Sequence, residues 1–312
     1  MNKKKIYVTG VTGFIGSKIA ETCVKNKFNV IGISRKSSKE VKEIKKKLGI
    51  KILKNDLLDK KKLFLEGAET IVHCATANDL ISKNFDLGMN LSIMGTKKIL
   101  EAAIKAKIKN FIFISTAQVY GTELNGIINE KSKLNCQTQY SLNHYFGEEL
   151  CKMYSKKFGI KVVVLRPSNI YGLPLFKTVD RSSLVPMCFV KSGFKSKSID
   201  ILSSGKQMRN FVSCDQLSNS VLDILKNFPS RIFTIINIGS NWCSSIKEIA
   251  KLTRNSFEKK KLKIKLKILS KKPDKSNHFS YESIYFKYKD HKKICRNYMI
   301  KTIDSLIDRK KI

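Results

Sequence analysis

Three glycines at three-residue intervals, Gly10, Gly13 and Gly16, follow the short apolar run Lys5–Thr9 and open the helical pattern Ile15–Lys25. This arrangement suits a pyrophosphate. Gly10 lets the chain turn tightly, Gly13 lets the backbone approach the anion, and Gly16 lets the helix pack on the strand. The anion then meets free N–H groups at the positive end of a helix. A glycine triplet alone is a weak signal. A strand before it and a helix after it make the turn a candidate for binding a dinucleotide.

Such a turn needs a sheet to hold it. Short apolar runs at Lys5–Thr9, Asn29–Ser34, Lys51–Lys54, Thr70–Cys74, Asn110–Ser115 and Lys161–Arg166 read as strands. Helical patterns fall between them, among them Ile15–Lys25, Ile93–Ala106 and Ser141–Phe158. Strand–helix alternation predicts an α/β fold, a doubly wound parallel sheet covered on both faces. After Gly172 the pattern breaks up into an irregular stretch, Leu173–Ser204, before a helix at Cys214–Lys226 and a strand at Ile232–Ile238. The expected organisation is a dinucleotide-binding domain over residues 1–172, with 212–240 returning to it. A smaller, discontinuous substrate domain would then comprise 173–211 and 241–312.

At 312 residues, 42% hydrophobic and 28% charged, the chain is globular in composition. Its formal net charge of +36 is extreme. The basic residues divide into eight Arg and 53 Lys, whereas phosphate-reading surfaces favour the bidentate fork of Arg. Lys-rich runs mixed with Ile and Asn read as solvated surface shaped by codon bias, and no nucleic-acid recognition element stands out. The positive field would still speed encounter with an anionic substrate. The eight Cys form no CxxC pair, and several lie inside apolar runs, which implies a reduced, cytoplasmic setting. The start, MNKKKIYVTG, does not read as a signal peptide, and no stretch suggests a membrane span. The four His offer no metal spacing.

Seven ordered segments carry a resemblance. They are TGVTGFIG at the glycine turn, Asn55-Asp56-Leu57, His73-Cys-Ala-Thr76, Asn90 with Gly95-Thr96, STAQVYG at Ser115–Gly121, LRPSNIYG at Leu165–Gly172, and RNFVSCD at Arg209–Asp215. Over residues 5 to 250 the chain resembles the extended short-chain dehydrogenase/reductases, also called the NAD-dependent epimerase/dehydratase family. The resemblance implies a Rossmann-type sheet, a nicotinamide dinucleotide and a nucleoside-diphosphate sugar as substrate. By this likeness Gly10, Thr12, Gly13, Phe14, Ile15, Gly16, Asp56, Leu57, Ala75 and Asn90 are the expected cofactor contacts, Asp56 meeting the adenine amine. His73 falls where the family has a structural strand-end histidine.

In NAD-using members an acid at the end of the second strand holds the adenosine ribose. Here that strand ends in Ser34 and Arg35, followed by Lys36, Ser37 and Ser38. A cationic, hydroxyl-rich loop suits a 2′-phosphate. It resembles the loop of GDP-mannose 4,6-dehydratases, so NADP is favoured over NAD.

Family chemistry moves a hydride between the nicotinamide and a sugar carbon, with a Tyr exchanging the hydroxyl proton. By register, Thr116 is the hydroxyl partner and Tyr140 the acid/base group. The residue four further on, on the same helix face, should be the Lys that lowers the tyrosine pKa, but it is His144. A neutral imidazole can still hydrogen-bond the ribose, yet it lowers the tyrosine pKa less than an ammonium would. Sugar-nucleotide dehydratases carry an Asp-Glu pair where this chain has Ala117 and Gln118. The expectation is therefore an epimerase or a 4-keto reductase. The alternative is a catalytically impaired dinucleotide-binding protein of the same fold.

Asn169 and Arg209 resemble family contacts to the substrate diphosphate, and Lys272 in Lys272-Pro273-Asp274 loosely resembles a third. The Tyr-rich stretch Tyr281–Tyr288 matches nothing in the family and reads as a diverged dimer or substrate loop. Family members pair through two long helices, and Ile93–Ala106 and Ser141–Phe158 are the counterparts for a homodimer.

Overall fold

The computed structural model describes residues 4–35, 39–59, 61–176, 179, 181–270, 278–288, 290 and 292–311. β1 (Lys5–Thr9) leads through the glycine turn into α1 (Phe14–Lys25), then β2 (Asn29–Ser34), α2 (Lys39–Leu48), β3 (Lys51–Lys54) and β4 (Thr70–His73). After α3 (Phe85–Met89), a π-helical turn at Asn90–Met94 runs into α4 (Gly95–Lys105) and β5 (Asn110–Ile114). Next come β6 (Gly126–Ile128), α5 (Gln139–Phe158), β7 (Lys161–Pro167), β8 (Asn169–Tyr171), α6 (Met187–Ser196), β9 (Ser198–Ile201) and β10 (Met208–Ser213). The chain ends with α7 (Cys214–Lys226), β11 (Phe233–Ile238), β12 (Cys243–Ser245), α8 (Ile246–Lys259), β13 (Lys265–Ile268), β14 (Phe279–Tyr281) and α9 (Lys292–Lys311).

Seven strands form one sheet in the order β11-β7-β5-β4-β1-β2-β3, and every pairing in it is parallel. A parallel sheet is buried on both faces, which is why Asn110–Ile114 and Val162–Pro167 are buried without a break. Side chains alternate between the faces. Ile6 and Val8 pack with Ile19 and Cys23 of α1 and Val221 of α7. Tyr7 packs on the other face with Ile99 and Ala103 of α4 and Cys151 and Tyr154 of α5. The strand order reverses between β1 and β4, and a crevice at the carboxyl ends of the strands opens at such a switch point.

β11 pairs with β7, so the chain returns to the main sheet after leaving it at Pro167. Outside that sheet, β8 pairs with β10, and β10 with β12. α6, α8 and α9 enclose a separate apolar cluster holding Phe189, Phe257, Met299 and Ile303. α9 lies in the Lys-rich C-terminal region, where the sequence shows no clear periodicity. Its apolar positions Cys295, Met299, Ile303, Leu306 and Ile307 are all buried.

Candidate active site

A cavity of about 610 Å³ lies at the switch point. Its walls include the glycine turn after β1, Ser34 and Arg35 after β2, Asp56 and Leu57 after β3, the loop after β4, Thr116 after β5, and Tyr140 and His144 on α5. Gly10 has φ +64°, a left-handed backbone that a side chain would strain, and a Cβ on Gly16 would collide with the Gly10 carbonyl. The first turn of α1 holds neither a side-chain cap nor an acidic residue, so its backbone N–H groups face an anion unopposed.

α5 carries Tyr140 and His144. Thr138 caps it in a reciprocal box with Ser141, and Gly159 ends it with φ 72°. Gly147 lets α5 lie directly on Phe113, because a Cβ there would sit 2.6 Å from the ring. One turn apart, the Tyr140 and His144 rings meet edge to face with centroids 4.6 Å apart. His144 is 3% exposed, and burial brings its imidazole down to about 4, so it is neutral. Burial also raises the Tyr140 phenol above its ordinary value. The neighbouring Thr116 hydroxyl and the Arg181 guanidinium act in the opposite sense, and Asp79 adds to the rise.

His73 is structural, as its place at the strand end suggests. Thr9 Oγ1 accepts from the Cys74 and Ala75 N–H groups, so its own proton goes to His73 Nδ1 at 2.7 Å. The other ring nitrogen donates to Thr96 Oγ1 at 3.1 Å, and Thr96 donates in turn to the Ser92 carbonyl.

Asn169 and Arg209 reach the cavity and also line a smaller adjoining one of about 140 Å³. Among the described residues the Arg209 guanidinium donates only to the Thr122 and Met208 carbonyls. Burial lowers its pKa, and no carboxylate among the described residues pairs with it. Asp56 lines the main cavity while its Oδ1 accepts from the Leu58 N–H at 3.0 Å.

Three expectations differ from the structure or fall outside the described residues. Asn90 is exposed and does not line the cavity, whereas its neighbour Leu91 does. Lys272, and Lys36–Ser38 of the second-strand loop, lie outside the described residues. The sequence reading missed Asn55, Asp79, Ser168 and Arg181, all on the cavity wall. Arg181 carried the same compositional signal as Arg209, being one of only eight Arg, but it follows no motif. Tyr281, unplaced by sequence, is buried and donates to the Arg166 carbonyl at 2.7 Å.

The described residues contain eight buried polar side-chain atoms without a partner, and four belong to this cavity: Asn55 Oδ1, His144 Nδ1, Ser168 Oγ and Arg181 Nε. Leaving a buried polar group unpaired costs about 1–3 kcal/mol, so a polar ligand suits this wall. Together with the bare helix end, they fit a dinucleotide. No group of His, Cys, Asp or Glu among the described residues has the arrangement of a metal site. All eight cysteines are free, and no described helix is long and apolar enough to cross a membrane.

The family model for the NAD dependent epimerase/dehydratase family matches residues 6–239. The chain belongs to that family. Within it, the chain is 30% identical over 265 residues to an uncharacterized UDP-glucose epimerase of Bacillus subtilis, covering 80% of each chain. It is 29% identical to a dTDP-D-glucose 4,6-dehydratase of Dictyostelium discoideum, covering 80% of this chain and 61% of that one. Among solved structures it resembles a UDP-glucuronic acid 4-epimerase from Bacillus cereus in complex with NAD. That match has a TM-score of 0.77 and 25% identity, covering 98% of this chain and 96% of the other. As a member of the NAD-dependent epimerase/dehydratase family, the chain has its glycine turn at the carboxyl end of β1 in a Rossmann-type sheet.

Proposed function

We propose that this chain is a nucleotide-sugar epimerase, with a 4-keto reductase as the second reading. The observation that carries it is that Thr116, Tyr140 and His144 line the same cavity as the glycine turn, with the Tyr140 and His144 rings in contact. A bound nicotinamide dinucleotide supplies the hydride acceptor and donor. Tyr140 takes the sugar hydroxyl proton and later returns it, and Thr116 orients the same oxygen. His144 orients the nicotinamide ribose. Arg209 and Asn169 hold the substrate diphosphate, Arg209 through its uncompensated fork. Ala117 and Gln118, also on the wall, provide no acid or base for eliminating water, which argues against a dehydratase.

The relatives named above are called epimerase and dehydratase, which supports the sugar-nucleotide class. Ser34 and Arg35 on the wall, with no acid at the end of β2, favour NADP. The Bacillus cereus neighbour holds NAD. NADP in turn favours the reductase reading. α4 and α5 form a homodimer face in this proposal, supported by exposed Met94, Phe146, Met153 and Phe158. Residues 1–172 and 212–240 form the cofactor domain, and 173–211 and 241–312 the substrate domain.

The test is turnover of a nucleotide-sugar panel by the wild type beside His144→Lys, with NAD(H) and NADP(H) supplied separately. An epimer formed without net cofactor use supports the epimerase, and stoichiometric loss of reduced cofactor the reductase. An inert wild type with an active His144→Lys variant identifies a dinucleotide-binding protein that has lost catalysis.

A further inference from the structure

On the reading of Tyr140 as the acid/base group, we propose that Arg181 is a positioning residue whose charge stabilises the Tyr140 phenolate. A phenol ionises near 10 in water, and burial drives it higher, so a tyrosine that takes a proton near neutrality needs a cation close by. The groups facing Tyr140 can be named element by element. On its own helix lies His144, which is buried and neutral. From the end of β5 comes the uncharged Thr116 hydroxyl. The loop after β4 brings Asp79, a charge of the wrong sign, and the segment before α6 brings Arg181. Among the described residues, Arg181 is thus the cation acting on this phenol.

Its geometry suits the task. The side chain is 19% exposed, lines the same cavity as Tyr140, and carries a buried Nε without a partner. Its one carboxylate contact among the described residues, Asp79, is loose at 3.9 Å, beyond hydrogen-bond length. Arg also stays charged across the working pH range, which His144 does not. The supporting charge in this proposal comes from the segment before α6 rather than from the tyrosine's own helix.

The test reads the phenol directly. Ultraviolet titration of the full-length chain without ligands, with the Tyr140→Phe curve subtracted, isolates the Tyr140 midpoint. Arg181→Gln should raise that midpoint by about one pH unit, the size expected for losing one nearby opposite charge. Arg181→Lys should restore most of the shift, and it keeps the proposal testable where Arg181→Gln fails to fold. In a His144→Lys background, Arg181→Gln should shift the midpoint much less, because the added ammonium already supplies the charge. In the active enzyme the acid limb of the kcat profile should move with the phenol. An unchanged Tyr140 midpoint in Arg181→Gln, even with a raised KM, overturns the proposal and makes Arg181 a contact for substrate alone. The titration needs no substrate. A chain inert toward every sugar would refute the enzymatic reading and leave the Arg181 result standing by itself.

Discussion

Glu148 on α5 and Arg166 on β7 form a buried ion pair, with Arg166 Nη2 donating to Glu148 Oε2 at 2.5 Å and side-chain exposures of 2% and 3%. Ser115 donates to the same carboxylate, and Arg166 Nη1 donates to the Tyr120 hydroxyl at 2.9 Å. Tyr120 in turn donates to Asn237 at 2.8 Å. The pair locks the helix carrying Tyr140 to β7, and Ser115 ties the same carboxylate to the strand end carrying Thr116. Glu148→Gln leaves a guanidinium uncompensated in the interior and should lower stability by about 3–5 kcal/mol. Urea unfolding of both proteins measures this. A loss below about 1 kcal/mol would mean that water reaches the pair.

Thr116→Val keeps the shape of the side chain and removes its hydroxyl. On the proposed mechanism, turnover should fall by about 10²-fold while KM changes by less than about threefold, and Tyr140→Phe should fall further, by up to about 10⁴-fold. Steady-state kinetics on whichever sugar nucleotide is converted checks both. A Thr116→Val enzyme as fast as wild type would remove Thr116 from the chemistry.

Two buried imidazoles make the fold sensitive to mild acid. Burial brings His144 to about 4 and His73 to about 3, the latter helped by the nearby His144. Both values lie below the ordinary 6.5, so the unfolded chain binds more protons as the pH falls. Their contribution to stability is whole above about 6.5 and is lost as the pH drops toward about 4, His73 losing still more toward about 3. Each adds a slope of up to about 1.4 kcal/mol per pH unit in that window. His144→Gln should remove about half of this slope, as read from urea unfolding across a pH series. An unchanged slope would show that His144 charges freely in the native state.

Arg35 is the exposed cation on the wall at the end of β2. Arg35→Ala should weaken NADP binding by about tenfold, or about 1.4 kcal/mol, and leave NAD binding unchanged. Calorimetric titration with each dinucleotide decides it. Equal losses for the two would assign Arg35 to the adenine rather than to a phosphate.

The sequence was most legible where the backbone itself carries the signal. The runs at Lys5–Thr9 and Asn29–Ser34 have the bounds of β1 and β2, because a strand buried on both faces can hold little but apolar residues, and Lys51–Lys54 has those of the edge strand β3, whose two lysines are exposed. Segment order placed Thr116, Tyr140 and His144 together before any coordinates did. Arg181 escaped notice because it sits in an irregular stretch, where neither period nor motif says which way a side chain points. α9 was hidden by composition. Its buried positions recur at helical spacing, but Lys residues from the solvent face swamp the pattern.

The return of β11 to the sheet also bears on how the protein is made. Until β11 pairs with it, the β7 strand Lys161–Pro167 exposes one row of backbone N–H and C=O groups, in a run whose side chains are almost all apolar. During synthesis that row must wait while the ribosome adds the whole excursion through β8, α6, β9, β10 and α7. A nascent chain stalled there presents a sticky, unpaired edge to its neighbours. Slow translation or a chaperone that covers this edge should therefore govern the soluble yield more than the stability of the finished fold.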